Sequence, residues 1–187
     1  MNIKGYKVYN QKGKFIRTIS VQKEMSLQDN EWLKGVSCFV LNKDGKVLIE
    51  KRVNKGLTPG KLDLCSGHID GDEVPTQAMI RELREELGIQ LEESMNVVPV
   101  GNLDLQFENK DTNKRNFLIQ FYALKRNTNK VEIQKEEVDK ICYVPMEEAF
   151  ELIKKGKTKF PEDDRYEEIF QKVRDVYNAK DMNKKMR

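Results

Sequence analysis

Arg81, Glu82, Glu85 and Glu86 stand within six consecutive residues. On a helix turning about 100° per residue, the i, i+3 and i+4 spacing gathers the three carboxylates into an arc of roughly 100°. Ile80, Leu83 and Leu87 project to one side of that arc, and Ala78 and Met79 lie within or beside it. The acidic face is therefore expected to border packed protein. Like charges at this spacing repel by a few tenths of a kcal/mol per pair when exposed, and by more when desolvated. Two compensations are at hand. Arg81 reaches Glu85 one turn on, or an acid outside the helix such as Glu73. The other is a hard divalent cation, because Mg²⁺ prefers carboxylate oxygens together with water and phosphate oxygens. Taken alone, the hexapeptide reads first as an ordinary solvated charged face, so its surroundings decide.

The element that must carry these residues has both ends marked. Pro75 suits the first helical position, Asp72 and Glu73 lie at the positive end of the dipole, and Gly88 suits the position just past the C-terminus. A helix is expected over Val74 to Leu87. Before it, Val36 to Leu41 and Val47 to Ile49 are β-rich runs around Asn42-Lys-Asp-Gly45, a strong hairpin signal. The second strand continues through Glu50 and Arg52 into a loop with Pro59-Gly60, and Leu62 to Cys65 makes another short strand before a glycine-rich acidic stretch, Gly67 to Glu73. After the helix, Val97 to Phe107, Phe117 to Leu124 and Ile141 to Val144 read as strands. Met146 to Lys154 and about Asp164 to Tyr177 read as closing helices. An N-terminal hairpin is expected from Tyr6 to Asn10 and Phe15 to Ser20 around Lys12-Gly13. Strands around one central helix, with two helices behind, give an α+β class, an α/β/α sandwich on a mixed sheet.

From Gly67 to Ile89 the chain matches G-x5-E-x7-R-E-U-x-E-E-x-G-U, with U aliphatic, at every specified position: Gly67, Glu73, Arg81, Glu82, Leu83, Glu85, Glu86, Gly88 and Ile89. With generous residue frequencies, a chance match somewhere in the chain is on the order of 10⁻⁶. The segment resembles the Nudix box, and the resemblance extends over roughly Trp32 to Pro145. In detail it is similar to the branch that resembles isopentenyl-diphosphate isomerase, with an N-terminal hairpin and a Lys51-Arg52, Lys55, Pro59-Gly60 stretch before Gly67-His68. The resemblance implies hydrolysis of a nucleoside diphosphate linked to another moiety. It makes Glu82, Glu85 and Glu86 ligands of Mg²⁺, with Mn²⁺ able to substitute, and offers the Gly67 carbonyl as a further ligand. Arg81 and Glu73 become the pair that orients the loop against the helix. Glu82 is the first choice of general base. Other branches take the base from a loop after the box, where Glu136 and Glu137 are the available acids. Arg52 and Lys55, at a strand end and loop, are expected to bind the diphosphate.

Other features narrow the classes. Across 187 residues, a length suited to one main domain, 34 basic residues against 31 acidic ones leave a formal charge of +3, too little to imply a specific nucleic-acid partner. Cys38, Cys65 and Cys142 form no C-x-x-C pair, and no run approaches the ~20 apolar residues of a membrane span. A cytoplasmic setting follows, with no signal peptide behind Lys4 and Lys7. Residues 1–31 are expected as hairpin and link, 32–179 as the domain, and 180–187 as a disordered basic tail. His68 is the single histidine, which removes histidine-rich metal sites and serine triads. Cys65 reads as a core cysteine, and Trp32, Phe107 and Tyr122 as core aromatics more readily than base-stacking ones. An isomerase and a non-catalytic nucleotide- or RNA-binding module are the alternatives to a hydrolase. The intact acidic set argues against both, and the oligomeric state stays open.

Overall fold

Gly45 adopts φ +73°, the left-handed conformation that its place in the Asn42–Gly45 turn requires. The Asn42 side-chain oxygen closes that turn by accepting the amide hydrogens of Asp44 and Lys46 at 3.0 and 2.9 Å. The computed structural model describes residues 5–20, 27–54, 58–91, 96–109 and 112–179. Lys55, part of the expected N-terminal link and the expected basic tail lie outside them.

In chain order the elements are β1 (Gly5–Tyr9), β2 (Phe15–Ser20), β3 (Trp32–Leu41), β4 (Lys46–Arg52), β5 (Leu62–Asp63), β6 (Cys65–His68), α1 (Pro75–Leu87), β7 (Val98–Asn109), β8 (Thr112–Lys125), β9 (Val138–Pro145), α2 (Met146–Lys154) and α3 (Tyr166–Asn178). The sheet is mixed. β3 runs parallel to β8 from Trp32↔Asn116 to Leu41↔Lys125 and antiparallel to β6 from Gly35↔His68 to Cys38↔Cys65. β4 lies antiparallel to β5 and β9.

β3 and β4 are paired only at Leu41↔Val47, beside their turn, and then part. β5 follows β4 while β6 follows β3, so the chain crosses the fork at Leu64, which is fully buried. The single short strand expected over Leu62 to Cys65 is in fact two, and the second extends through Gly67 to His68. Its pairing with β3 is non-local, which local composition does not show.

Covered on both faces, β3 is buried almost throughout, as a central strand should be. Its alternation sends Val36, Cys38 and Val40 toward Ala78, Met79, Leu83 and Leu87 of α1. Phe39 and Leu41 face Phe150, Ile153, Ile169 and Phe170 of α2 and α3. This is the expected sandwich. Ile80 departs from expectation: it points away from the core and is 37% exposed, since Met79, Leu83 and Leu87 already fill the stripe against the sheet. The β1–β2 hairpin is joined to β3 through Tyr9↔Trp32 and seats Val8 and Ile19 against Leu27 and Leu33. Glu31 fixes it further by accepting Nε and Nη2 of Arg17 at 2.7 and 2.8 Å. Among the described residues no helix is long and apolar enough to cross a membrane.

Candidate active site

The helix that carries the acids is stopped at both ends by backbone chemistry. At its start Pro75 needs no hydrogen-bond acceptor, and the Val74 amide donates to Oε1 of Gln77 at 3.1 Å. At its end Gly88 sits at φ +61°, and its amide donates to the Arg84 carbonyl at 3.0 Å. The Leu87 and Glu86 carbonyls, which a helix end leaves open, accept the amides of Glu132 and Gln134 at 2.9 Å each. The segment after β8 is thereby fastened to the acidic helix.

The loop before α1 is held by Arg81. Its Nε and Nη2 bind the two oxygens of Glu73 at 2.9 and 3.1 Å, and Nη2 also donates to the His68 carbonyl at 2.9 Å. Nη1 reaches Glu82 Oε1 at 2.6 Å and Glu85 Oε2 at 3.2 Å. Both pairings open to Arg81 are made at once. Together they hold its guanidinium firmly protonated, Glu73 foremost.

The three acids of the arc occupy different depths. Glu85 is about half exposed, Glu82 is at the edge of burial, and Glu86 is 2% exposed. The Glu82 carboxylate lies against Gly67 so closely that a Cβ there would stand 1.9 Å from Oε1. That contact explains why this position is glycine. Glu86 Oε2 accepts the Ser66 amide at 3.0 Å. Burial, and then the charges of Glu82 and Asp63, push the Glu86 carboxyl up to about 8. Burial also raises Glu82, against the pull of Arg81.

Three residues around Glu86 were not singled out from sequence. Glu50 of β4 and Asp63 of β5 are register partners, both buried, and face one another across the ladder. Alternation along β4 gave the signal for Glu50: Val47 and Ile49 face α2 and α3, so Leu48 and Glu50 face α1. Lys159 has no such signal, because it arrives through non-local pairing: the bridge Leu62↔Thr158 and its own amide, which donates to the Leu62 carbonyl at 2.8 Å. Asp63 Oδ2 takes Lys159 Nζ at 2.8 Å, Arg52 Nη1 at 3.1 Å and the Ser66 hydroxyl at 3.2 Å.

Of these groups Arg52, Ser66 and Lys159 line a cavity of about 760 Å³, with Glu50, Asp63 and Glu86 buried behind its wall. Gly67, Arg81, Glu82 and Glu85 line it, as do the cations Arg52, Lys61, Lys155 and Lys159. Tyr6, Phe107, Phe117 and Phe160 add aromatic wall, and Tyr6 stacks on His68 with ring centroids 4.4 Å apart. Glu137 lines the cavity, whereas the exposed Glu136 does not. Trp32 and Tyr122 are buried in the core, and of the aromatics weighed from sequence only Phe107 reaches the cavity. Cys65 is fully buried.

The donor set fits a divalent cation. Every box acid offers oxygen, and Glu50 Oε1 is buried with no hydrogen-bond partner among the described residues.

Comparison with known proteins agrees with the box. The chain is 39% identical over 55 residues to a CTP pyrophosphohydrolase of Escherichia coli, covering 29% of this chain and 41% of that protein. It is 38% identical over 65 residues to an RNA pyrophosphohydrolase of Gluconacetobacter diazotrophicus, covering 32% and 39%. These matches span about two fifths of the length of the curated relatives. A crystal structure from Deinococcus radiodurans superposes with a TM-score of 0.65 at 19% identity, over 93% of this chain and 99% of that one, a likeness of fold. The family model of the NUDIX domain matches residues 32–166, well over half the sequence, and the chain belongs to that family.

Proposed function

We propose that the protein is a divalent-cation-dependent pyrophosphohydrolase that cleaves the diphosphate linkage of a small nucleoside-diphosphate-type substrate. The observation that carries this reading is the meeting, in one cavity, of the box carboxylates Glu82 and Glu85 with cationic side chains that include Arg52, Lys61, Lys155 and Lys159. Glu82, Glu85, Glu86 and the Gly67 carbonyl would hold Mg²⁺ or Mn²⁺. A cation so placed draws charge from the phosphoryl oxygens and makes a bound water more acidic.

The chain's own groups do the rest. Arg52 and Lys159, already aligned by Asp63, present positive charge to the cavity and bind phosphate oxygens. Lys55 belongs to the same proposal on its sequence position alone. Glu82 accepts the proton of the attacking water, because its partly buried carboxyl holds a proton more readily than an exposed one does. Glu137 is the second candidate for that proton, favoured over Glu136 by its place in the cavity wall. Water adds to one phosphorus, the bridging P–O bond breaks, and the other phosphate leaves with the bridging oxygen. The names of the two curated relatives, a CTP and an RNA pyrophosphohydrolase, support an anhydride of this kind.

The test is hydrolysis of a panel of nucleoside diphosphate and triphosphate compounds with and without Mg²⁺ or Mn²⁺. Cation-dependent cleavage is expected, and Glu85→Gln should lower kcat by about 10²-fold or more with the fold intact. Near-normal turnover by that variant would remove the metal assignment. Cleavage that proceeds undiminished in chelator would remove the reaction class.

A further inference from the structure

We infer that Glu50, Cys65 and Glu86 form an inner cation site, distinct from the outer face of Glu82 and Glu85, that takes a borderline divalent ion such as Co²⁺ or Zn²⁺. One carboxylate oxygen from each acid and the Cys65 sulfur lie within 4.8 Å of one another. Three donors on one ion at about 2.0–2.3 Å stand roughly 3.3–4.0 Å apart, so the set closes on an ion with side-chain shifts of up to about 1 Å.

The charge balance calls for an occupant. Asp63, Glu50 and Glu86 are buried together, and the two nearby cations, Arg52 and Lys159, both bind Asp63. Glu50 Oε1 is left buried and unpartnered. An orphaned buried carboxylate oxygen is costly, and a cation would satisfy it. The fork of the sheet supplies the site: Glu50 comes from β4 on one side, Cys65 from β6 on the other, and Glu86 closes it from α1. Sulfur beside carboxylate selects borderline ions over Mg²⁺, for which an oxygen-only set is sufficient. The thiol loses its proton on ligation, as metal-bound cysteines do, and that proton passes to solvent or buffer. The site shares Glu86 with the proposed hydrolytic centre but does not require that hydrolysis occur.

Cobalt titration of the purified protein reads the site directly, because a thiolate ligand gives Co²⁺ a near-ultraviolet charge-transfer band. Wild type should show the band, Cys65→Ser should lose it, and Cys38→Ser and Cys142→Ser should keep it. Glu50→Gln should weaken cobalt binding by at least about tenfold, and its melting temperature shows whether it folds. Glu85→Gln should retain the band even where hydrolysis fails, which separates this inference from the proposed activity. A cobalt complex with no such band, or a folded Glu50→Gln protein that binds cobalt as tightly as wild type, overturns the inner site.

Discussion

Gly67 and Arg52 show how differently two single positions can constrain the same cavity. At Gly67 the constraint is space, since a Cβ would fall 1.9 Å from Glu82 Oε1 and 2.1 Å from its carboxyl carbon. Gly67→Ala must therefore displace the Glu82 carboxylate, and a displacement of about 1 Å at a reacting centre can cost about 10²-fold in rate. We expect kcat to fall by that order while the melting temperature moves little, because the displaced group is a side-chain terminus at the cavity edge. Wild-type kcat in the alanine protein would show that Glu82 takes no part. At Arg52 the constraint is charge. Its Asp63 contact makes it more than a strand-end surface residue, so Arg52→Ala should cost both stability and catalysis. Loss of one charged partner of a buried acid costs about 1–3 kcal/mol, read by denaturation. Loss of a charge-assisted phosphate contact, worth about 1.5–3 kcal/mol, lowers kcat/KM roughly 10- to 150-fold. The catalytic loss should be similar on two unrelated diphosphates, and unchanged kcat/KM on both would end the phosphate-binding role.

At the scale of elements, what the sequence discloses is what is locally encoded. α1 begins at Pro75 and ends before Gly88 as its residues announce, and the Asn42–Gly45 and Lys12-Gly13 turns fall where their signals place them. The fork between β4 and β6 is not disclosed, because it depends on β6 choosing β3 and β5 choosing β4 across long separations. The alternation of β4 marks Glu50 itself, but the partners it meets across the fork are not legible. The hairpin offers a test of attachment. Arg17, with a lesser contribution from the Gln28 amide, holds the Glu31 carboxyl below its usual range, against the opposing effect of burial. A lowered folded-state pKa contributes stability that is present above the unfolded value, about 4.3–4.5, and is lost as pH falls through the folded one. Arg17→Ala should therefore lower stability near neutral pH and flatten its acid limb below about pH 4.5. Parallel acid-denaturation curves for variant and wild type would show that the pair contributes nothing.

Over the whole molecule, two apolar layers pack on opposite faces of one sheet, and the candidate site lies at the edge of the α1 layer where the sheet divides. The box made this site legible at Gly67, Glu73, Arg81 and the three glutamates, whereas Lys159 enters only through tertiary folding, from a segment more than ninety residues downstream of Asp63. The fastening of the 131–137 segment to α1 carries a consequence for motion. Glu132 and Gln134 belong to no helix or strand, yet their amides are bonded to the last carbonyls of α1. Irregular segments ordinarily trade amide hydrogen with solvent quickly, on the terms of their own local opening. These two amides should instead exchange slowly, at rates that follow the unravelling of the end of α1. Gly88→Ala puts a Cβ 2.9 Å from that of Glu132 at a positive φ, a conformation costing about 1–2 kcal/mol for a residue with a side chain. It should speed exchange at positions 132 and 134 together with the last turn of α1 and leave the β3–β8 ladder slow. Hydrogen exchange resolved by residue would report this, and independent rates for the segment and the helix end would show that they open separately.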